Sequence, residues 1–251
     1  MKKEISIFTT AGYPEIDSLN RQLDLLEEFE IDFCEVGIPF SDPMADGPTI
    51  QETSMKAISN GMNIDLLFKQ LSERQSNTPI YLMGYLNPIE QYGIERFLKK
   101  CVDNQIIGLI LPDVSIEIYE RNYRRLFEEY GISLCFLVTP RTSDDRIKRA
   151  AELSKNGFLY LVSTNQITGG TSKSQNSLDD RYLEVKKLAG STKVMIGFGI
   201  HDRKSFEQKT AHVDGGIIGS AFLRAVQNNE TESFLRGITN KTEKISTLAS
   251  S

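Results

Sequence analysis

The chain predicts an α/β fold, a single (β/α)8 TIM barrel spanning residues 1–251 as one domain. Short β-like runs alternate with longer amphipathic segments from one end of the 251 residues to the other. The runs number eight: Ile5–Thr10, Phe33–Gly37, Ile80–Met83, Gly108–Leu111, Ser133–Val138, Phe158–Val162, Lys193–Gly197 and Gly215–Gly219. Eight strand-then-helix units in about 250 residues match a closed parallel barrel. The runner-up is an open doubly wound sheet. Such a sheet would usually carry a glycine-rich dinucleotide fingerprint after its first strand, and Ala11-Gly-Tyr-Pro14 does not fit it.

The elements follow in order. The first strand begins almost at the first residue, with no long apolar segment and small-residue cleavage site ahead of it, so no signal peptide is expected. Helical patterns then fill the gaps: Ser18–Phe29, Ile64–Glu73, Gly93–Val102, Ile116–Tyr130, Ser143–Ser154 and Leu178–Leu188. Leu67, Phe68 and Leu71 recur at helical spacing, as do Tyr119, Tyr123 and Leu126. Ser143-Asp-Asp-Arg reads as a helix start, with Ser143 as the cap and acids in the first turn. No repeat, low-complexity segment or linker interrupts the alternation, and only residues 241–251 read as a tail polar enough to fray.

Composition narrows the function classes. A hydrophobic fraction of 39% supports a full core. Net charge is −5 with no basic stripe, so nucleic acid is not an expected partner. No apolar run approaches the ~18 residues of a membrane span. Cys34, Cys101 and Cys135 are odd in number and widely spaced, which reads as reduced thiols in a cytoplasmic protein. His201 and His212 show no metal-ligand spacing, so no metal is expected.

Glu35 is the most informative residue. Alternation along Phe33–Gly37 puts it on one face with Phe33 and Gly37, while Cys34 and Val36 point the other way. A carboxyl buried there should have its pKa pushed up, toward the range where it exchanges protons near neutral pH. A stiff loop follows, Ile38–Pro48, with three prolines and two further carboxylates, Asp42 and Asp46. A barrel places its chemistry at the C-terminal ends of the strands, which is where Glu35 and this loop lie. A structural Glu satisfied by local amides is the alternative reading.

Three glycine-bearing segments follow the last three strands: Thr168-Gly-Gly170, Gly197-Phe-Gly-Ile200 and Gly219-Ser-Ala221. Glycine lets backbone N–H groups approach an anion, and Gly-Ser opening a short helix aims N–H groups at it. Together they read as a phosphate site. Phe8, Tyr85 and Tyr160 stand at other strand ends. They are core or barrel-mouth residues by periodicity, or the walls of a flat apolar pocket beside the acid.

With these residues in place, the chain resembles the tryptophan synthase α subunit family. The strongest match is Glu35-Val-Gly-Ile-Pro-Phe-Ser-Asp-Pro-Met-Ala-Asp-Gly-Pro-Thr-Ile-Gln51. Phe8–Pro14, Leu82–Pro88, Leu111–Val114, Ile167–Gly169, Gly197–Ile200 and Ile218–Ala221 follow in the family's order. The resemblance implies cleavage of indole-3-glycerol phosphate to indole and glyceraldehyde 3-phosphate, a retro-aldol lyase reaction with no cofactor in this chain. Glu35 falls on the general acid/base and Asp46 on the carboxylate that accepts the indole N–H. Phe8 and Tyr85 match residues flanking the indole, and Tyr160 a tyrosine near the acid. Thr168 matches a lid threonine that steadies Asp46, and Gly169, Gly199, Gly219 and Ser220 match phosphate-binding positions. The resemblance also implies a partner, a pyridoxal-phosphate (PLP)-dependent β subunit in an αββα heterotetramer, to which indole passes through a tunnel. Ser41–Pro48 and Thr164–Ser177 match the segments that close over substrate and signal to β, with Asp42 and Pro43 at or near the interface.

Two departures stand out. Many members carry a helix before the first strand, and here it is short or missing, so the barrel floor is expected to be more open. After the sixth strand, Thr164-Asn-Gln-Ile-Thr-Gly169 lacks an arginine and a glycine that many members have. That change bears on the lid and on signalling to β. It keeps a stand-alone indole-releasing lyase in play, beside a catalytically weak regulatory partner of β.

Overall fold

The computed structural model describes residues 2–163 and 172–241, the side chains of 172–177 excepted. The apolar runs form nine parallel strands: β1 Glu4–Thr10, β2 Phe33–Gly37, β3 Ile80–Met83, β4 Ile106–Ile110, β5 Ser133–Leu134, β6 Leu137–Val138, β7 Phe158–Val162, β8 Lys193–Gly197 and β9 Gly215–Ile218. The helices between them are α1 Ser18–Glu28, α2 Pro48–Ser59, α3 Ile64–Glu73, α4 Leu86–Tyr92, α5 Ile94–Asp103, α6 Ile116–Ile118, α7 Arg124–Tyr130, α8 Asp144–Leu153, α9 Ser172–Ala189, α10 Arg203–Lys209, α11 Ser220–Gln227 and α12 Thr231–Thr239.

Sheet order is β5-β4-β3-β2-β1-β9-β8-β7-β6. The two outer strands are consecutive pieces of one segment, residues 133–138, which the sequence reads as a single strand. The Cys135 amide donates to Leu109 O at 2.9 Å, and the Tyr160 amide donates to Phe136 O at 2.9 Å. The segment thus hands its hydrogen bonds from β4 to β7 midway, which splits it in two. The sheet curls until both outer edges meet there.

Both faces of a parallel sheet are covered, so the strands read as near-continuous apolar runs. Alternation sorts them. Inward, the rings of Phe33, Tyr81 and Phe158 pack against one another, with centroids 5.2, 5.3 and 4.9 Å apart, among Ile110, Cys135, Met195 and Ile217. Outward, Ile7, Val36, Leu82, Leu109, Leu161 and Ile196 join the larger core beneath the helices. All three cysteines are free and buried.

The structure departs from the expected elements in several places. The helix expected over 116–130 contains a π-helical turn, Tyr119–Tyr123. The wider turn keeps Tyr119 buried against Phe127 and Phe136 while Tyr123 donates to Glu90. Ser143 is the N-cap of α8, but its side chain makes no capping bond. The backbone of α9 is helical from Ser172, six residues before the expected start; no glycine or proline lies between there and Ala189 to stop it. Among the described residues no helix precedes β1, as expected. At the other end, Lys241 is held by Glu28 O at 2.8 Å and by the Glu30 carboxylate at 3.1 Å, so fraying does not begin there; residues 242–251 lie outside the described residues.

The curl brings backbones close where glycine stands. A Cβ at Gly215 would collide with the Glu4 carbonyl oxygen and lie 2.6 Å from Met195 Cε. Gly215→Ala should therefore cost about 2–3 kcal/mol, since a ladder backbone has little room to give. Gly237→Ala in α12, where an added Cβ meets nothing within 4 Å, should be neutral or stabilising. Urea unfolding midpoints of the two variants check both expectations.

Candidate active site

Glu35 points inward from β2 because it shares parity with Phe33, and it is 0% exposed. Among the described residues, neither of its carboxyl oxygens has a hydrogen-bond partner. The described local amides do not satisfy it. Burial alone pushes its pKa up to about 8. The neighbouring groups register its charge: Tyr81, Cys135 and Tyr160 have pKa values raised chiefly by burial and further by Glu35.

Asp46 is set by the loop that leaves β2. Its amide donates to Pro43 O at 3.0 Å, and Gln51 Nε2 donates to its carbonyl at 2.9 Å. Pro48 then opens α2, a position where the missing N–H costs nothing. The Tyr85 hydroxyl donates to Asp46 Oδ2 at 3.1 Å and accepts from the Ala45 amide at 3.0 Å, while Phe40 packs on the Tyr85 ring with centroids 5.2 Å apart. Asp46 is half-buried. Burial pushes its pKa up and the Tyr85 hydrogen bond draws it back, to about 6. It is more exposed than Glu35 and mainly ionised at neutral pH.

These groups surround one space. Phe8, Gly37, Asp46, Ile50, Met83 and Tyr85 line a narrow cleft above the end of β2. Glu35 is not in that lining; it lies two residues before Gly37 on the same face of the strand. A Cβ at Gly37 would sit 2.6 Å from Phe8 Cζ, so the glycine makes room for the Phe8 ring. Tyr160 is 5% exposed, and its hydroxyl occupies the space a side chain at Gly197 would need. Its pKa is raised by burial and then by both Glu35 and Asp46, which puts it within electrostatic reach of both.

Sequence reasoning missed Met83, Leu137 and Val162. They are half-buried and cap the inner cluster from above. The signal was present: each is the last inward-facing position of its strand.

Of the glycine segments, Gly219 borders the cleft, since an added Cβ there would lie 3.5 Å from Phe8 Cβ and 3.7 Å from Ile50 Cδ1. Ser220 is the first residue of α11, so its N-terminal amides face the same side. Gly199 follows β8 with φ +76°, directly after Phe198, which also has φ +76°. Thr168 and Gly169 lie outside the described residues, as do Thr164, Asn165 and Gln166. Among the described residues no group of His, Cys, Asp and Glu side chains could hold a metal ion, and no helix is long and apolar enough to cross a membrane.

A curled parallel sheet with helices outside it and carboxyl groups gathered near one strand end defines the class, an α/β protein. The comparisons say which one. A family model described as tryptophan synthase alpha chain matches residues 2–250. The tryptophan synthase alpha chain of Christiangramia forsetii is 44% identical over 233 residues, 92% of this chain and 91% of that one. That of Flavobacterium psychrophilum is 44% identical over 234 residues, covering 92% of each. The crystal structure of the Legionella pneumophila alpha chain superposes with a TM-score of 0.84 at 28% identity, over 98% of this chain and 94% of that one. The chain belongs to the tryptophan synthase alpha chain family. It is accordingly a lyase that cleaves indole-3-glycerol phosphate, with no cofactor of its own, and it forms a complex with the β subunit, which holds the PLP.

The buried acid has a cost that pH reveals. Unfolded Glu35 ionises near 4.5, whereas folded Glu35 keeps its proton until about 8. Between those values the folded state binds the extra proton, so stability falls as pH rises, by about 1.4 kcal/mol per unit. Glu35→Gln removes this dependence, while the smaller one from Asp46 is common to both chains. The variant should match wild type near the lower value and exceed its stability by a few kcal/mol near the upper. Urea unfolding at the two pH values tests this, and parallel profiles for the two chains would sink it.

Proposed function

We propose that Glu35 is the general acid/base of the cleavage and Asp46 the carboxylate that accepts the indole N–H. The carrying observation is the contrast between the two: one fully buried carboxyl with no partner among the described residues, one half-buried carboxylate held by Tyr85. Environment divides the roles, as it does for carboxylate pairs elsewhere. Protonated Glu35 delivers its proton to C3 of the indole ring. Positive charge develops on the ring nitrogen, where ionised Asp46 stabilises it. Glu35, now a carboxylate, takes the proton of the glycerol hydroxyl. The C–C bond electrons return to the ring, indole leaves, and the former hydroxyl carbon becomes the aldehyde of glyceraldehyde 3-phosphate. Glu35 ends protonated, as it began.

In this reading Phe8 and Tyr85 flank the indole, Tyr160 lies by the acid, and Gly199, Gly219 and Ser220 hold the phosphate with Gly169; Thr168 steadies Asp46. The chain is a single-domain (β/α)8 TIM barrel over residues 1–251 and works in the cytoplasm. It joins two β subunits and a second α chain as αββα and passes indole to β through a tunnel. Exposed Asp42 and Met44, the latter 90% exposed, support the Ser41–Pro48 loop as a docking segment.

The test is glyceraldehyde 3-phosphate release from indole-3-glycerol phosphate by the purified chain, with and without its cognate β subunit. Slow release alone and much faster release with β fits an α subunit under partner control. Fast release unchanged by β favours the stand-alone lyase, to which the altered Thr164–Gly169 run also points.

Glu35→Gln should lower turnover about 10²- to 10⁴-fold or more with the fold intact. Asp46→Asn should lower it about 10²- to 10³-fold, since an amide accepts the N–H without a compensating charge. Normal turnover in either variant removes that residue from its role. The pH profile of kcat/KM in wild type should be a bell. Its acid limb falls below about 6, as Asp46 gains a proton, and its alkaline limb above about 8, as Glu35 loses one. A flat profile between pH 5 and 9 would contradict both assignments.

A further inference from the structure

We infer that Ser163 is a positioning residue that aims the Gly199 N–H at the substrate phosphate; this rests on the phosphate role read for Gly199 above. Ser163 directly follows β7 and is 4% exposed. Its amide donates to Gly197 O at 3.1 Å and its hydroxyl donates to Phe198 O at 2.8 Å. Two bonds from one residue therefore clasp the turn after β8. That turn needs clasping. Phe198 has φ +76°, a region that costs a non-glycine residue of this bulk, and Gly199 follows at φ +76°.

The consequence comes from the planarity of the peptide. Phe198 C=O and Gly199 N–H belong to one trans peptide unit and point in opposite directions. Holding the carbonyl oxygen on Ser163 fixes the amide hydrogen away from it. Without that hold, the peptide between two left-handed residues can rotate and withdraw the N–H from an anion. Ser163 also stands immediately before the segment read as the lid, so the clasp ties the base of that segment to the phosphate turn. The Ser163 hydroxyl is already spent on Phe198 O, so it acts through the turn and does not itself donate to the phosphate.

The test compares wild type, Ser163→Ala, Ser163→Cys and Ser163→Thr in the complex with the β subunit. Steady-state KM and kcat for indole-3-glycerol phosphate are measured with the inhibition constants of inorganic phosphate and of indole. Loss of one neutral hydrogen bond should raise KM and the phosphate constant about fivefold to tenfold in Ser163→Ala. Turnover at saturation and the indole constant should change far less. Ser163→Cys fills the same space with a weak donor and should track Ser163→Ala, whereas Ser163→Thr keeps the hydroxyl and should recover wild-type values. An unchanged KM and phosphate constant in both Ser163→Ala and Ser163→Cys overturns the inference. So does an equal loss of phosphate and indole affinity, which would mark a general distortion of the barrel mouth. A wild-type complex that releases no glyceraldehyde 3-phosphate overturns the functional reading itself, and the inference with it.

Discussion

The rest of the site depends on one unfavourable act, the burial of an unpaired carboxyl inside a parallel sheet. Among the described residues Glu35 has no cation or amide to offset the loss of water, and burial pushes its pKa up to about 8. Only a rigid surround can impose this. The inward rings of Phe33, Tyr81 and Phe158 supply it from below, and the outward core beneath the helices holds β2 in register. A looser interior would admit water and return the carboxyl to its ordinary acidity. The stability lost to Glu35 is the cost of keeping a carboxyl in that interior.

Around the acid, room is made by exchanging side chains for glycine. Gly37 yields to the Phe8 ring and Gly197 to the Tyr160 hydroxyl. The bulky residue of each pair stands on the strand next to the glycine, since β1 pairs with β2 and β7 with β8. In both pairs the glycine is the last residue of its strand. The clasp from Ser163 to Phe198 joins the same neighbouring strands, from the residue after β7 to the residue after β8.

Much of this was legible before any tertiary contact was known. Strand periodicity located all eight β segments, and six of the helical patterns appear, because an apolar face that must be buried leaves its period in the chain. Glu35 was legible for the opposite reason, as a charge in a run that allows none. Asp46 is half-buried, which its own loop does not announce. Its burial comes from Tyr85 and Phe40, distant in sequence and joined only by folding. The split of residues 133–138 depends on which neighbour each half pairs with, and no local pattern encodes that. Met83, Leu137 and Val162 were passed over because an apolar residue at a strand end looks the same whether it faces a core or a cavity.

The sequence by itself determined the class of fold, the presence of a carboxyl in an apolar strand and the order of the motifs, since these rest on local periodicity and on the cost of a misplaced charge. The tertiary structure decided what lies opposite what: that Tyr85 holds Asp46, that the Phe8 ring sits over Gly37, and that Ser163 holds the carbonyl before Gly199. These contacts join residues far apart along the chain, and only the closing of the sheet on itself brings them within hydrogen-bonding or van der Waals reach.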